Sequence, residues 1–179
     1  MPLPDIRDRV EEDRGLLKKI QTVVPGFRGY RIREDLRDSD RMLRAEFARR
    51  VRTQRAQLED ARRALVRTDP MSKALEEIGG VVNAMKRVEA EMIHSEVGYS
   101  GVAADVRIRD DELDKLYEYD ASMIESLGFI DQALVRVPEA IRAGNDGDLR
   151  QAVGTLRARV DGLEDRFKRR MTAITGTGL

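Results

Sequence analysis

The chain has no cysteine and no tryptophan in 179 residues, a single histidine, five prolines, and only four phenylalanines and four tyrosines. Without cysteine there is no disulfide framework, no thiolate nucleophile and no cysteine-ligated zinc site. The lone histidine, with no nucleophile set around it, leaves no serine-histidine-acid pattern, and no dinucleotide or phosphate-loop fingerprint appears. No apolar run approaches the ~20 residues of a membrane-spanning helix. The opening segment MPLPDIRDRVEEDRG carries acids and no apolar stretch, so no secretory signal is expected and a cytoplasmic location is. Neither charge sign is in excess: 33 basic residues face 33 acidic ones. That balance argues against a general nucleic-acid coat and against an acidic disordered chain.

Charged residues nevertheless make up 37% of the sequence. With Leu, Ala, Arg, Glu and Asp dominant at helical spacing, the composition reads as long helices or coiled coil. The length suits one domain with a real core. The fold class expected is all-α, an elongated, mostly antiparallel bundle of about five helices spanning 1–179, with helices near 5–24, 31–67, 71–97, 110–137 and 148–174. The stripes are periodic. Helix two carries Leu36, Leu43, Phe47, Val51, Leu58, Ala61 and Leu65; the Leu43–Phe47–Val51 step is a stutter in a strict heptad. Helix three carries Met71, Leu75, Ile78, Val82, Met85, Val88 and Met92, with Gly79-Gly80 permitting close packing or a bend at a cost in helix stability. Helix four carries Leu113, Leu116, Met123, Leu127, Ile130, Leu134 and Val137, with Asp120 filling the gap in the pattern. Helix five carries Leu149, Val153, Leu156, Val160, Leu163, Phe167, Met171 and Ile174. Pro25-Gly26 stops helix one, Thr68-Asp69-Pro70 separates helices two and three, Pro138 marks a kink or boundary, and 143–147 reads as a turn.

Short connections make sequential helices antiparallel. The segment PGFRGY (25–30) and the segment GYSG (98–101) then meet at one end of the bundle, with Tyr117 and Tyr119 about two turns down helix four. Phe27, Tyr30 and Tyr99 are expected to form either a plug that closes the core or a docking surface for a partner. The docking version uses Phe27, Arg28, Tyr30, Arg31, Tyr99 and Tyr117. Charge is partitioned: 31–67 holds 12 basic and 7 acidic residues, while 110–136 holds 2 basic and 8 acidic. Helices two and four are therefore expected to lie side by side, or to face partners of opposite sign.

Glu91 and His94 form a Glu-x-x-His on one helical face, the weak metal candidate of the chain. Carboxylate-bridged di-metal bundles use two such motifs, and a second histidine is missing here. Asp13, Glu89 and above all Asp120 fall near seam positions, where a buried carboxylate needs a cationic or donor partner; Asp120 is expected to fix helix register. Arg49-Arg50-Val51-Arg52, Arg62-Arg63 and Lys168-Arg169-Arg170 are small basic clusters interrupted by acids. They read first as solvated helix faces and second as RNA contacts. Gly26 to Arg31 places glycines and arginines ahead of a helix, as anion sites do. Pairing of those arginines with Asp110, Asp111 and Glu112 is the simpler expectation.

The segments VPGFRGYRIREDLRDSDRMLR (24–44), GYSG (98–101) and DELDKLYEYD (111–120), about a quarter of the chain, resemble a family of small helical bacterial and archaeal proteins. In that family a Pro-Gly-aromatic-x-Gly-Tyr segment opens a long charged helix, and a Gly-Tyr-Ser-Gly segment precedes a helix with Leu-Tyr-Glu-aromatic-Asp. The resemblance marks Phe27, Tyr30, Tyr99, Tyr117 and Asp120 as family positions. It implies no activity, cofactor or catalytic residue.

The expected function is that of a non-enzymatic protein-protein interaction or scaffold protein, binding another protein or itself through the glycine-aromatic end or a long helix face. An RNA- or ribosome-associated factor using the arginine-rich faces is the alternative. A metal-dependent helical-bundle enzyme is the third reading. No cofactor is expected.

Overall fold

The computed structural model describes residues 6–27, 33–95 and 110–175, with side chains over 15–27, 38–95 and 115–173. The chain is all-α. Five helices follow one another: α1 (Ile6–Val23), α2 (Arg33–Thr68), α3 (Ala74–His94), α4 (Asp110–Ala143) and α5 (Asp146–Thr175). Among the described residues there is no strand, and none of the helices is long and apolar enough to cross a membrane.

The stripes dictate the packing. One buried cluster takes residues from all five helices, among them Ile20, Phe27, Phe47, Leu58, Ile78, Met85, Met123, Ile130, Leu156 and Phe167. α2 and α3 form one antiparallel hairpin and α4 and α5 another. The hairpins join through α2 against α4 and α3 against α5, and α1 lies on α4. Ion pairs record the alignment. Arg150–Glu77 and Arg87–Glu164 tie α5 to α3, Arg50–Asp131 ties basic α2 to acidic α4, and Lys19–Glu125 ties α1 to α4.

Helix ends follow local chemistry. α1 closes in a turn in which Gly26 has φ +87°, the left-handed region that glycine enters without a Cβ clash. Gln21 Nε2 donates to the Phe27 carbonyl at 2.9 Å, which folds Phe27 back into the core. A Gly26→Ala substitution is expected to cost about 1–2 kcal/mol, read as a shifted denaturant midpoint. α4 ends on Gly144 at φ +66°. Asn145 Oδ1 then accepts the Asp148 N–H at 3.2 Å, so α5 starts at Asp146, two residues earlier than the sequence suggests.

Further boundaries differ from expectation in α3 and α4. α3 begins at Ala74 rather than near Met71, because the Asp69 and Ser72 side chains bond the N–H groups of Met71 and Ala74 and hold the segment as a turn. Met71 is 88% exposed and does not belong to the stripe. α3 is described only to His94, short of Val97. α4 runs through Pro138 to Ala143 instead of stopping at Val137. The proline forfeits one backbone bond, but Val137 and Ala140 stay buried on the same face, and that burial carries the helix onward.

Candidate functional site

Two places concentrate polar chemistry, and they lie at opposite ends of the bundle. At the end where α2 and α4 begin, the polar interruptions of three stripes meet. Arg170 of α5 is fully buried. Its Nε donates to Asp120 Oδ1 of α4 at 2.5 Å and its Nη1 to Asp40 Oδ1 of α2 at 2.6 Å. Asp40 Oδ2 accepts from Arg44 Nε at 2.8 Å. Arg44 Nη1 in turn donates to the carbonyls of Met92 and Ser95 at 3.1 and 2.7 Å, supplying donors to the open C-terminus of α3. Arg44 sits about three turns into α2, so α3 ends roughly 16 Å short of where α2 begins. Among the described residues, two carboxylates and two guanidiniums thus link α2, α3, α4 and α5. Such a network costs desolvation, which its hydrogen bonds offset in this alignment of the helices. Asp120, expected near a seam position, is fully buried. Arg170, grouped by sequence with Lys168 and Arg169 in a solvated cluster, is instead a core residue.

Phe27 lies beside that end and is 2% exposed. It fills the core, as a plug does, and offers no surface to a partner. Tyr117 is half-buried against the core. Arg28, Tyr30, Arg31 and Tyr99 lie outside the described residues, as does the expected pairing of the loop arginines with Asp110, Asp111 and Glu112. The Asp13 side chain lies outside them too.

His94 is exposed and Glu91 half-buried; among the described residues no three His, Cys, Asp or Glu side chains gather as a metal site requires. Most of the basic clusters spend their charge within the chain. Arg49 pairs with Glu46, and Arg52 and Arg55 both hold the buried Glu89. Lys168 pairs with Glu164 at 2.6 Å; the Lys168 ammonium, aided by Arg87, holds the Glu164 carboxyl below the usual carboxylate range despite its partial burial.

The opposite end behaves differently. A groove of about 630 Å³ runs between α2 and α3, lined by Glu59, Arg62, Arg63, Val66 and Arg67 on one wall and by Gly79, Val82, Asn83 and Lys86 on the other. Both sets follow i, i+3, i+4, i+7 spacing, which puts each on a single helical face. At 1.5 Å per residue the longer wall extends about 12 Å. Four cations stand against one carboxylate, and Glu59 is already held by Arg55 at 2.7 Å. Arg63 pairs with Asp60 and remains largely exposed. Arg62 Nε donates to the Leu75 carbonyl at 3.2 Å. Among the described residues neither Arg67 nor Lys86 makes an ion pair. Val66, 45% exposed, presents apolar surface between the charges.

Gly79 adds a second peculiarity. Glycine inside a helix costs about 1 kcal/mol relative to alanine. A Cβ built at Gly79 would meet only Arg62 Nε, at the ordinary distance of 4.0 Å, and one at Gly80 would meet nothing. Neither glycine is required by packing within this chain.

A protein-family model matching the sequence was not found, and no curated protein or solved structure matches it either. The resemblance carried by 24–44, 98–101 and 111–120 therefore rests on those segments alone.

Proposed function

We propose that this chain is a non-enzymatic protein-interaction or scaffold protein of the cytoplasm, and that it docks its partner on a long helix face, in the groove between α2 and α3. The observation that supports this is the pairing of exposed apolar surface at Val66 with cations left uncommitted at Arg67 and Lys86. Arg49, Arg52 and Lys168 of the other basic clusters are held by carboxylates of the same chain, whereas the groove gathers four cations around one carboxylate. The glycine-aromatic end supports docking less well, because Phe27 is buried.

An RNA- or ribosome-binding role would use the same four cations. Glu59 in the wall opposes it, and no aromatic side chain lines the groove for bases to stack on. The test is a tagged pull-down from cells that make the protein, comparing wild type with an Arg63→Glu, Arg67→Glu, Lys86→Glu variant, with and without ribonuclease. A partner captured by wild type, lost by the variant and indifferent to ribonuclease is the expected result. Capture abolished by ribonuclease would transfer the role to RNA. Equal capture by both proteins would remove the groove from the function.

A further inference from the structure

We infer that the occupant of the α2–α3 groove is an acidic amphipathic helix of a partner protein, laid along the groove with a small-residue edge against Gly79 and its carboxylates on Arg63, Arg67 and Lys86. This rests on the interaction-protein reading and adds the chemistry of the partner.

Charge complementarity is the first ground. The walls carry four cations and one carboxylate; that carboxylate is paired with Arg55 and Arg63 with the exposed Asp60, and among the described residues Arg67 and Lys86 stay uncommitted. Shape is the second. A trough between two packed helices, about two turns long, is where a third helix rests its ridge. Its apolar floor, Val66 and Val82, suits anchors at i, i+3 and i+4 rather than a phosphate backbone. Gly79 is the third. A glycine that the chain's own packing does not require, set in the wall of the groove, lets a foreign backbone approach closely, as small residues do at helix crossings. Gly80, next in sequence but outside the groove lining, provides an internal control.

The experiment uses the full chain and a labelled synthetic peptide of about 20 residues. Leucine and alanine fill one helical face and glutamate the flanks; a scrambled peptide of identical composition is the comparison. Fluorescence anisotropy gives the affinities, with oligouridine RNA as a third probe and sedimentation as a check for self-association. Expected is binding of the patterned peptide at least ~10-fold tighter than the scrambled one. The Arg63→Glu, Arg67→Glu, Lys86→Glu variant should lose ~10-fold or more. Gly79→Gln should weaken binding and Gly80→Gln should leave it unchanged, while both keep or raise the melting temperature.

Equal binding of the two peptides would overturn the inference, because it would report charge alone. So would tighter binding of RNA, equal effects of the two glycine variants, or groove-dependent self-association, which would make a second copy the occupant. If the peptide fails while the cellular partner still depends on the groove, the interaction reading survives and the acidic helix falls.

Discussion

Arg170→Met is expected to lower stability by about 3–5 kcal/mol, the usual cost of removing one member of a buried ion pair. The guanidinium is fully buried and lies 2.5 Å from Asp120 and 2.6 Å from Asp40. Methionine approximates its volume, so lost packing accounts for little of the effect. What remains is the Asp120 carboxylate, also fully buried, without the guanidinium that lay 2.5 Å from it. Asp40 keeps Arg44 at 2.8 Å, so the loss falls mainly on α4. Combining Arg170→Met with Asp120→Leu, which leaves the Asp40–Arg44 pair in place, should recover most of the stability, since apolar replacement of both partners of a buried pair is often neutral or better. Denaturant unfolding of the single and combined variants checks this. A loss under about 1 kcal/mol for Arg170→Met would mean that the network is solvated, and would remove it as the device that fixes register.

Phe27→Ala is expected to cost a comparable amount, about 3–5 kcal/mol, as large-to-small changes of buried aromatics do. The ring is 2% exposed and packs in the common core cluster, at the point where α1 hands over to α2. Its backbone is tied by Gln21 and by the bond from its own N–H to the Val24 carbonyl, so the site has little freedom to collapse around a cavity. The same substitution should leave groove binding unaltered in the fraction that folds. Thermal unfolding beside peptide anisotropy separates the two effects. A folded, fully stable Phe27→Ala protein that loses its partner would return docking to the glycine-aromatic end.

Helix count and the apolar faces could be read from spacing because long stripes admit little else. Asp120 could be read for the same reason: the 3-4 pattern of α4 steps onto it. That logic extends to Asp40, between Leu36 and Leu43, to Gln54, between Val51 and Leu58, and to Arg170, three residues after Phe167. All three are buried. The apolar Met171 next to Arg170 is only partly buried against the core, although apolar spacing favours it over Arg170. Which gap faces which depends on the helices' being neighbours, and that is a property of the assembled bundle. Gln54 bonds the Leu127 carbonyl and Asp131 across the α2–α4 seam, a contact no local pattern encodes. Met71 falls outside the stripe because periodicity takes no account of the competing bonds of Asp69 and Ser72. The groove was hidden differently. Arg62-Arg63 and Gly79-Gly80 stand out in the sequence, but which faces of α2 and α3 remain uncovered is decided by where α4 and α5 pack.

The absence of native cysteine makes the most direct test simple. Asn83→Cys places one thiol in the groove wall, and Val135→Cys, at a position 56% exposed on α4, places one outside the groove. Each protein, labelled with a photoreactive maleimide, is irradiated in extract from cells that make it, and the cross-linked peptides are sequenced. The account predicts that position 83 repeatedly cross-links one acid-rich helical segment of another protein, and that position 135 does not. The same products from both positions, or a product at 135 alone, would contradict it.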